Sequence, residues 1–175
     1  DLFHRLTEEQ MNGPRLDRLG YLSDPDIIAD CNAAVSFLEG NSAVDSNRIG
    51  VTGFCMGGRI AWLMAATNPI FRCTVPFYGG NIMGNWGPGD APFSMAANIN
   101  CPMLFHFGSE DGNPSVADRD TFDAELSRLG KDFEFHTYDG AGHAFMDYTN
   151  PERSRAEQPA DAWKKIFAFL DATMN

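Results

Sequence analysis

The stretch RIGVTGFCMGGRIAWLM, residues 48–64, constrains the fold more than any other part of the chain. An apolar β-type run (48–54) meets Cys55 between Gly53 and Gly57-Gly58, and a helical pattern from about Met56 to Thr67 follows at once. A strand that turns into a helix within one residue forces that residue into strained backbone, and nearby glycines let the two elements approach without side-chain clashes. Gly53 and Gly57 fit that demand, and Gly58 gives further room for packing. A packed core thiol would not need such surroundings. The sharp turn lifts a side chain to a helix N-terminus, where unpaired N–H groups favour an anion.

The rest of the chain supplies elements of matching type. Residues 1–25 read as a long connection with at most one short turn of helix, broken by Gly13-Pro14, Gly20 and Pro25. From Pro25 to Gly40 apolar residues recur at helical spacing, and this helix is expected to cover a sheet face. Strands are expected at 70–80, where Pro76 predicts an end to regular pairing, at 101–108, buried on both faces, and at 132–138, half exposed. An irregular excursion (81–100) follows the second strand, a helix spans 118–129, and a last helix begins near Pro159. Such alternation predicts one α/β domain with an open, mostly parallel sheet and helices on both faces.

Net charge narrows the partners. The 24 acidic against 13 basic residues give −11, which would repel nucleic acid and anionic membrane surfaces. No apolar run approaches the roughly 18 residues that cross a bilayer. Cys31, Cys55, Cys73 and Cys101 have no metal-finger or C-x-x-C spacing, so reduced thiols in a cytoplasmic setting are expected, with no metal. The glycine-rich turn matches neither a phosphate loop nor the dinucleotide pattern, and no cofactor is expected.

Ligands of open parallel sheets sit beyond the carboxyl ends of the strands. Cys55, Asp111 in FGSEDGNP and His143 in YDGAGHAF all fall there. Their order of nucleophile, acid and histidine is that of α/β-hydrolase triads, with cysteine in place of serine. His143 would accept the thiol proton, Asp111 would hold the imidazole, and the Met56 N–H would donate to an oxyanion. Other readings compete. Asp111 could instead cap the turn begun by Asn113-Pro114, with Glu110 as the acid, and His4, His106 and His136 offer other imidazoles. Trp86 and Phe93, with Phe145 near the histidine, are the expected lining of a substrate pocket, although packing of the sheet end would use the same aromatic residues.

These segments together resemble the dienelactone hydrolase family, a branch of the α/β-hydrolase fold that uses cysteine. RIGVTGFCMGGR, FYGG (77–80), CPMLFHFGSEDGNPS, YDGAGHAFMDYTNP and AWKKIFAFL carry the resemblance across nearly the whole chain. It implies cofactor-free hydrolysis of a lactone or small activated ester through a thiol acyl-enzyme on Cys55, with a broader esterase or thioesterase, or a non-catalytic relative, as alternatives. Four residues beyond the histidine, where the dienelactone enzyme has a substrate-binding arginine, stands Asp147; Arg153 and Arg155 are nearby substitutes. The resemblance also makes residues 1–175 the C-terminal portion of a single α/β-hydrolase domain, with its N-terminal strands supplied by a missing segment, a partner chain or a swapped element. The strand near 49–54 would then carry an open edge.

Overall fold

The computed structural model describes residues 1–150, 152–154 and 156–175, with the side chain of residue 15 outside that description. Four strands, β1 (Val51–Phe54), β2 (Thr74–Phe77), β3 (Met103–Gly108) and β4 (Phe133–Tyr138), form a wholly parallel sheet in the order β1-β2-β3-β4. All four therefore end on the same side, and their outgoing loops converge.

Two short helices occupy the opening segment, α1 (Glu8–Asn12) and α2 (Arg15–Leu19), where sequence reading predicts at most one turn. The cause is local: Thr7 and Gln10 form a reciprocal capping box, each side chain bonding the other's backbone N–H. The third helix, α3 (Asp24–Glu39), is capped by the Ser23 hydroxyl. It is followed by α4 (Met56–Thr67), and these two helices pack on each other. Ile27 and Val35 share a buried cluster with Ile60, Leu63 and Met64, so α3 covers the helix layer where a sheet face was expected.

The sheet has an apolar cluster on each face. On one side Trp62 of α4 meets Phe105 of β3 and Phe122 of α5 (Val116–Arg128), with ring centroids 6.3 and 5.3 Å away. On the other, α6 (Glu157–Met174) seats Ala162 and Ile166 against Val75, Phe77 and Leu104. β3 is buried along its whole length, as its continuous apolar run requires.

Regular pairing of β2 ends at Phe77, one residue past Pro76, as expected, yet the proline itself costs the ladder little. Thr74 N–H donates to Pro102 O and Tyr78 N–H to His106 O, so proline removes only the bond midway between them. On the β1 side the ladder runs unbroken to Phe54 opposite Phe77. The excursion after β2 contains a 3₁₀ helix, Pro92–Asn98, whose Pro92 carbonyl accepts from the Trp62 indole at 2.9 Å.

Candidate active site

Cys55 occupies the single residue between β1 and α4 with φ 56° and ψ −117°. A non-glycine residue there carries about 1–3 kcal/mol of backbone strain, which its surroundings must hold. They do so from both directions: Cys55 N–H donates to Phe77 O at 3.0 Å, and its carbonyl accepts from Gly58 N–H at 2.9 Å and Arg59 N–H at 3.2 Å.

The glycines divide the work differently from the sequence reading. A Cβ on Gly53 would stand 2.1 Å from the Gly57 carbonyl oxygen, and one on Gly58 would stand 2.4 Å from Phe77 O. A Cβ on Gly57 itself would meet nothing within 4 Å. Gly53 and Gly58 are thus the two positions of close approach. Gly57 is required by neither contact. The match to Gly58 on the sheet side is Gly79 of FYGG, whose own Cβ would lie 2.7 Å from Arg59 N.

Three loops bring the predicted groups into one line. His143 Nε2 lies 3.0 Å from Cys55 Sγ, and its Nδ1 lies 2.9 Å from Asp111 Oδ2. The Asp111 side chain is buried, the His143 ring is partly open and the thiol is exposed. The other Asp111 oxygen accepts from Asn113 N–H at 2.9 Å, so the turn-capping role and the pairing with histidine are held by one carboxylate at once. Glu110 points its side chain to solvent. Among the other histidines, His4 binds Asp30, His136 lies beside Glu134, and His106 is buried in β3, stacked on Phe77.

The electrostatics follow from that line. The bond to Asp111 and then the bond to Cys55 push the His143 imidazole up to about 10. The bond to His143 lowers the Cys55 thiol against the cost of its partial burial, helped by the Met56 N–H at the start of α4. Both shifts favour a thiolate facing an imidazolium. The remaining thiols move the other way: burial raises Cys31 and Cys73, and pushes Cys101 up to about 11. His106 is driven down to about 3 by burial, with the nearby His136 and Lys165 adding to the shift.

The three aromatic residues read as pocket lining have other partners. Phe145 is wholly buried against Tyr78 and Tyr138, and Phe93 packs on Phe122. The Trp86 ring lies 3.9 Å from the Arg59 guanidinium carbon. Both groups were missed by sequence reading as a paired feature. Tyr78 was missed as well; its ring stands edge-on to His143 with centroids 5.1 Å apart and backs the imidazole. Arg153 is exposed, and Arg155 lies outside the described residues.

Among the described residues no group of three or more His, Cys, Asp or Glu side chains is gathered as a metal ion would need. Nor is any described helix long and apolar enough to cross a membrane.

The model of the Dienelactone hydrolase family matches residues 4–174. A Methylorubrum extorquens protein assigned as a carboxymethylenebutenolidase is 37% identical over 148 residues, covering 82% of this chain and 49% of its own length. A Bradyrhizobium protein assigned as a 2-oxo-3-(5-oxofuran-2-ylidene)propanoate lactonase is 33% identical over 153 residues, 85% of this chain and 60% of its own. The chain thus spans roughly half to three-fifths of the curated relatives it matches. Among solved structures, a protein assigned as a dienelactone hydrolase in Klebsiella pneumoniae superposes with a TM-score of 0.86 at 26% identity, over 97% of this chain and 72% of that one. The acylaminoacyl peptidase of Pyrococcus horikoshii, at 18% identity and a TM-score of 0.71, shares the α/β-hydrolase fold alone. By its match over nearly its whole length and by these relatives, the chain belongs to the dienelactone hydrolase family.

Proposed function

We propose that the chain carries the nucleophile, base and acid of a cysteine hydrolase that opens a lactone or cleaves a small activated carboxylic ester without a cofactor. The observation that carries the reading is the unbroken line from Cys55 through His143 to Asp111, at 3.0 and 2.9 Å, starting from a strained residue at a helix N-terminus. The Cys55 thiolate attacks the carbonyl carbon, and the new C–S bond moves an electron pair onto oxygen. Met56 N–H is the oxyanion donor this chain offers. Collapse breaks the C–O bond, and the His143 imidazolium gives its proton to the departing oxygen. Water then attacks the thioester while His143 takes a proton from it, releasing the carboxylic acid and restoring the thiolate. Asp111 keeps the imidazole in one tautomer throughout.

A thiolate is a better leaving group than a simple alkoxide, so the first tetrahedral adduct returns to reactants unless the departing oxygen is itself stabilised. Enol-lactones and aryl esters meet that condition. Asp147 lies two residues from Phe145, on the segment that follows His143, and its carboxylate accepts from Thr149. A negative side chain there disfavours a carboxylated substrate such as dienelactone, and points to neutral esters or lactones.

Enol-lactones, p-nitrophenyl esters of graded acyl length and acyl thioesters, assayed side by side, test the proposal. Turnover should be highest on the activated lactones and short aryl esters and should vanish in Cys55→Ala with the fold retained. Activity surviving in that variant would reject the nucleophile; a strong preference for long acyl chains would favour the broader esterase reading.

The open edge of β1 extends the proposal to the whole protein. A further strand from outside residues 1–175 would pair with β1, complete the sheet and bring the second oxyanion donor to Cys55.

A further inference from the structure

Among the described residues, the charged side chain buried deepest lies outside the triad. Arg59, the fourth residue of α4, is fully enclosed, and its partner Asp24 is 3% exposed. Nη1 and Nη2 grip the two Asp24 oxygens at 2.6 and 2.9 Å. Nη2 also donates to Gly84 O at 2.8 Å and Nε to Asn81 O at 3.0 Å, while Trp86 covers the guanidinium face. Trp86 N–H donates to Asp24 Oδ2, and Asp24 N–H returns a bond to Trp86 O. A buried ion pair gives little net stability over an apolar pair of the same volume. What it does give is direction, since a guanidinium fork fixes its acceptors in one plane.

Two of the acceptors it fixes, Asn81 O and Gly84 O, belong to the loop leaving β2, and that loop reaches the triad acid through Asn113. Asn81, at φ 55°, turns its carbonyl to Arg59 and its N–H to Asn113 Oδ1 at 2.9 Å. Asn113 in turn donates its own N–H to Asp111 Oδ1 at 2.9 Å, leaving Oδ2 for His143. The loop and Asn113 are in direct contact, because a Cβ on Gly80 would fall 2.6 Å from Asn113 Nδ2. A carboxylate anchored by one oxygen turns less freely, which keeps the other facing the imidazole.

We propose that Arg59, with Asp24, and Asn113 are positioning residues that refer the Asp111 carboxylate back to the helix carrying Cys55. The inference rests on the cysteine-hydrolase reading of the site. It explains why an arginine is worth burying: the nucleophile and the acid come from loops after different strands, and this relay gives both one frame.

The test measures the pH profile of Cys55 alkylation by iodoacetamide, followed by mass spectrometry, together with kcat and KM on an aryl ester. Asn113→Ala, Arg59→Lys and the double variant are compared with the wild-type chain. Each single variant should move the alkylation midpoint to higher pH and lower both the rate at pH 6 and kcat by about three- to tenfold, with KM little changed. The double variant should lose no more than the worse single, because both break one relay. An unchanged midpoint in folded Asn113→Ala, or losses that multiply in the double variant, would overturn the inference alone. A wild-type midpoint at the value of a free thiol would overturn the hydrolase reading and this inference with it. Should Arg59→Lys fail to fold, Asn113→Ala still decides.

Discussion

Cys55 differs from the other three thiols in sign as well as exposure. It is lowered by His143, whereas burial raises Cys31, Cys73 and Cys101. Substoichiometric iodoacetamide at pH 7 should therefore label Cys55 alone, as peptide mapping would show. A free thiol near pKa 8.5 is only about 3% ionised at that pH. In His143→Ala the largest cause of the lowering is gone, so the rate at pH 7 should fall by about tenfold, allowing for the greater intrinsic nucleophilicity of a more basic thiolate. Equal rates in the two proteins would mean that the imidazole does not hold the thiolate. Cys55, Asp111 and His143 were legible in the sequence because each sits just past a readable strand and the order is informative. The role of Arg59 was not. Within GGRIAWLM it looks like the polar residue of an amphipathic helix, but residues 58–66 are buried without a break. A charge inside such a run must be paired, and no local pattern says that its partner lies 35 residues upstream.

At the scale of elements the turn around Cys55 separates two kinds of glycine. Gly53→Ala would place a methyl 2.1 Å from the Gly57 carbonyl, so β1 and α4 must part. Destabilisation of about 3 kcal/mol or more is expected, with loss of rapid Cys55 labelling. Gly57→Ala meets nothing within 4 Å and lies in the first turn of α4. It should leave stability unchanged or raise it by up to about 1 kcal/mol. Chemical denaturation of the two variants checks the contrast, and similar losses in both would show that Gly57 is sterically constrained after all. Sequence reading named the right glycines but paired Gly53 with Gly57 as equals, because spacing along the chain does not say which Cα hydrogen points at the neighbouring element. Pro76 marks the end of β2 as read, and how little of the ladder it removes depends on which neighbour its missing N–H would face. The boundaries 101–108 and 132–138 were within two residues of β3 and β4, since burial on both faces and alternation are patterns written locally.

At the scale of the whole molecule, one edge of the sheet stands out. Among the described residues β1 has a neighbour on one side only, and there Phe54, Trp163 and Phe167 are 41%, 41% and 61% exposed. Their rings form a chain of contacts, 6.5 and 6.0 Å between centroids, above an apolar groove of about 270 Å³ lined by Val51, Val75, Ile166 and Leu170. An unpaired strand with an adjoining apolar surface is a template for association. The chain by itself should self-associate at micromolar concentration, and Phe167→Glu should reduce that association without lowering the melting temperature. Light scattering checks it; a monodisperse monomer with no binding of a hydrophobic dye would argue against a further strand on β1. The alternation of elements made the four-stranded parallel sheet legible. Which helix covers which layer was not, because α3 buries a stripe of ordinary width and only tertiary packing assigns it to α4.

The 88 residues that separate Cys55 from His143 give the site a place in time as well as in space. Closing so long a loop costs entropy that later contacts must offset, and parallel pairing of strands delays that return. The elbow needs β2 beside β1, since Cys55 N–H bonds Phe77 O, and its thiol lacks the largest cause of its lowering until β4 has docked on β3 and carried the histidine loop across. Reactivity at Cys55 is therefore a clock for completion of the sheet.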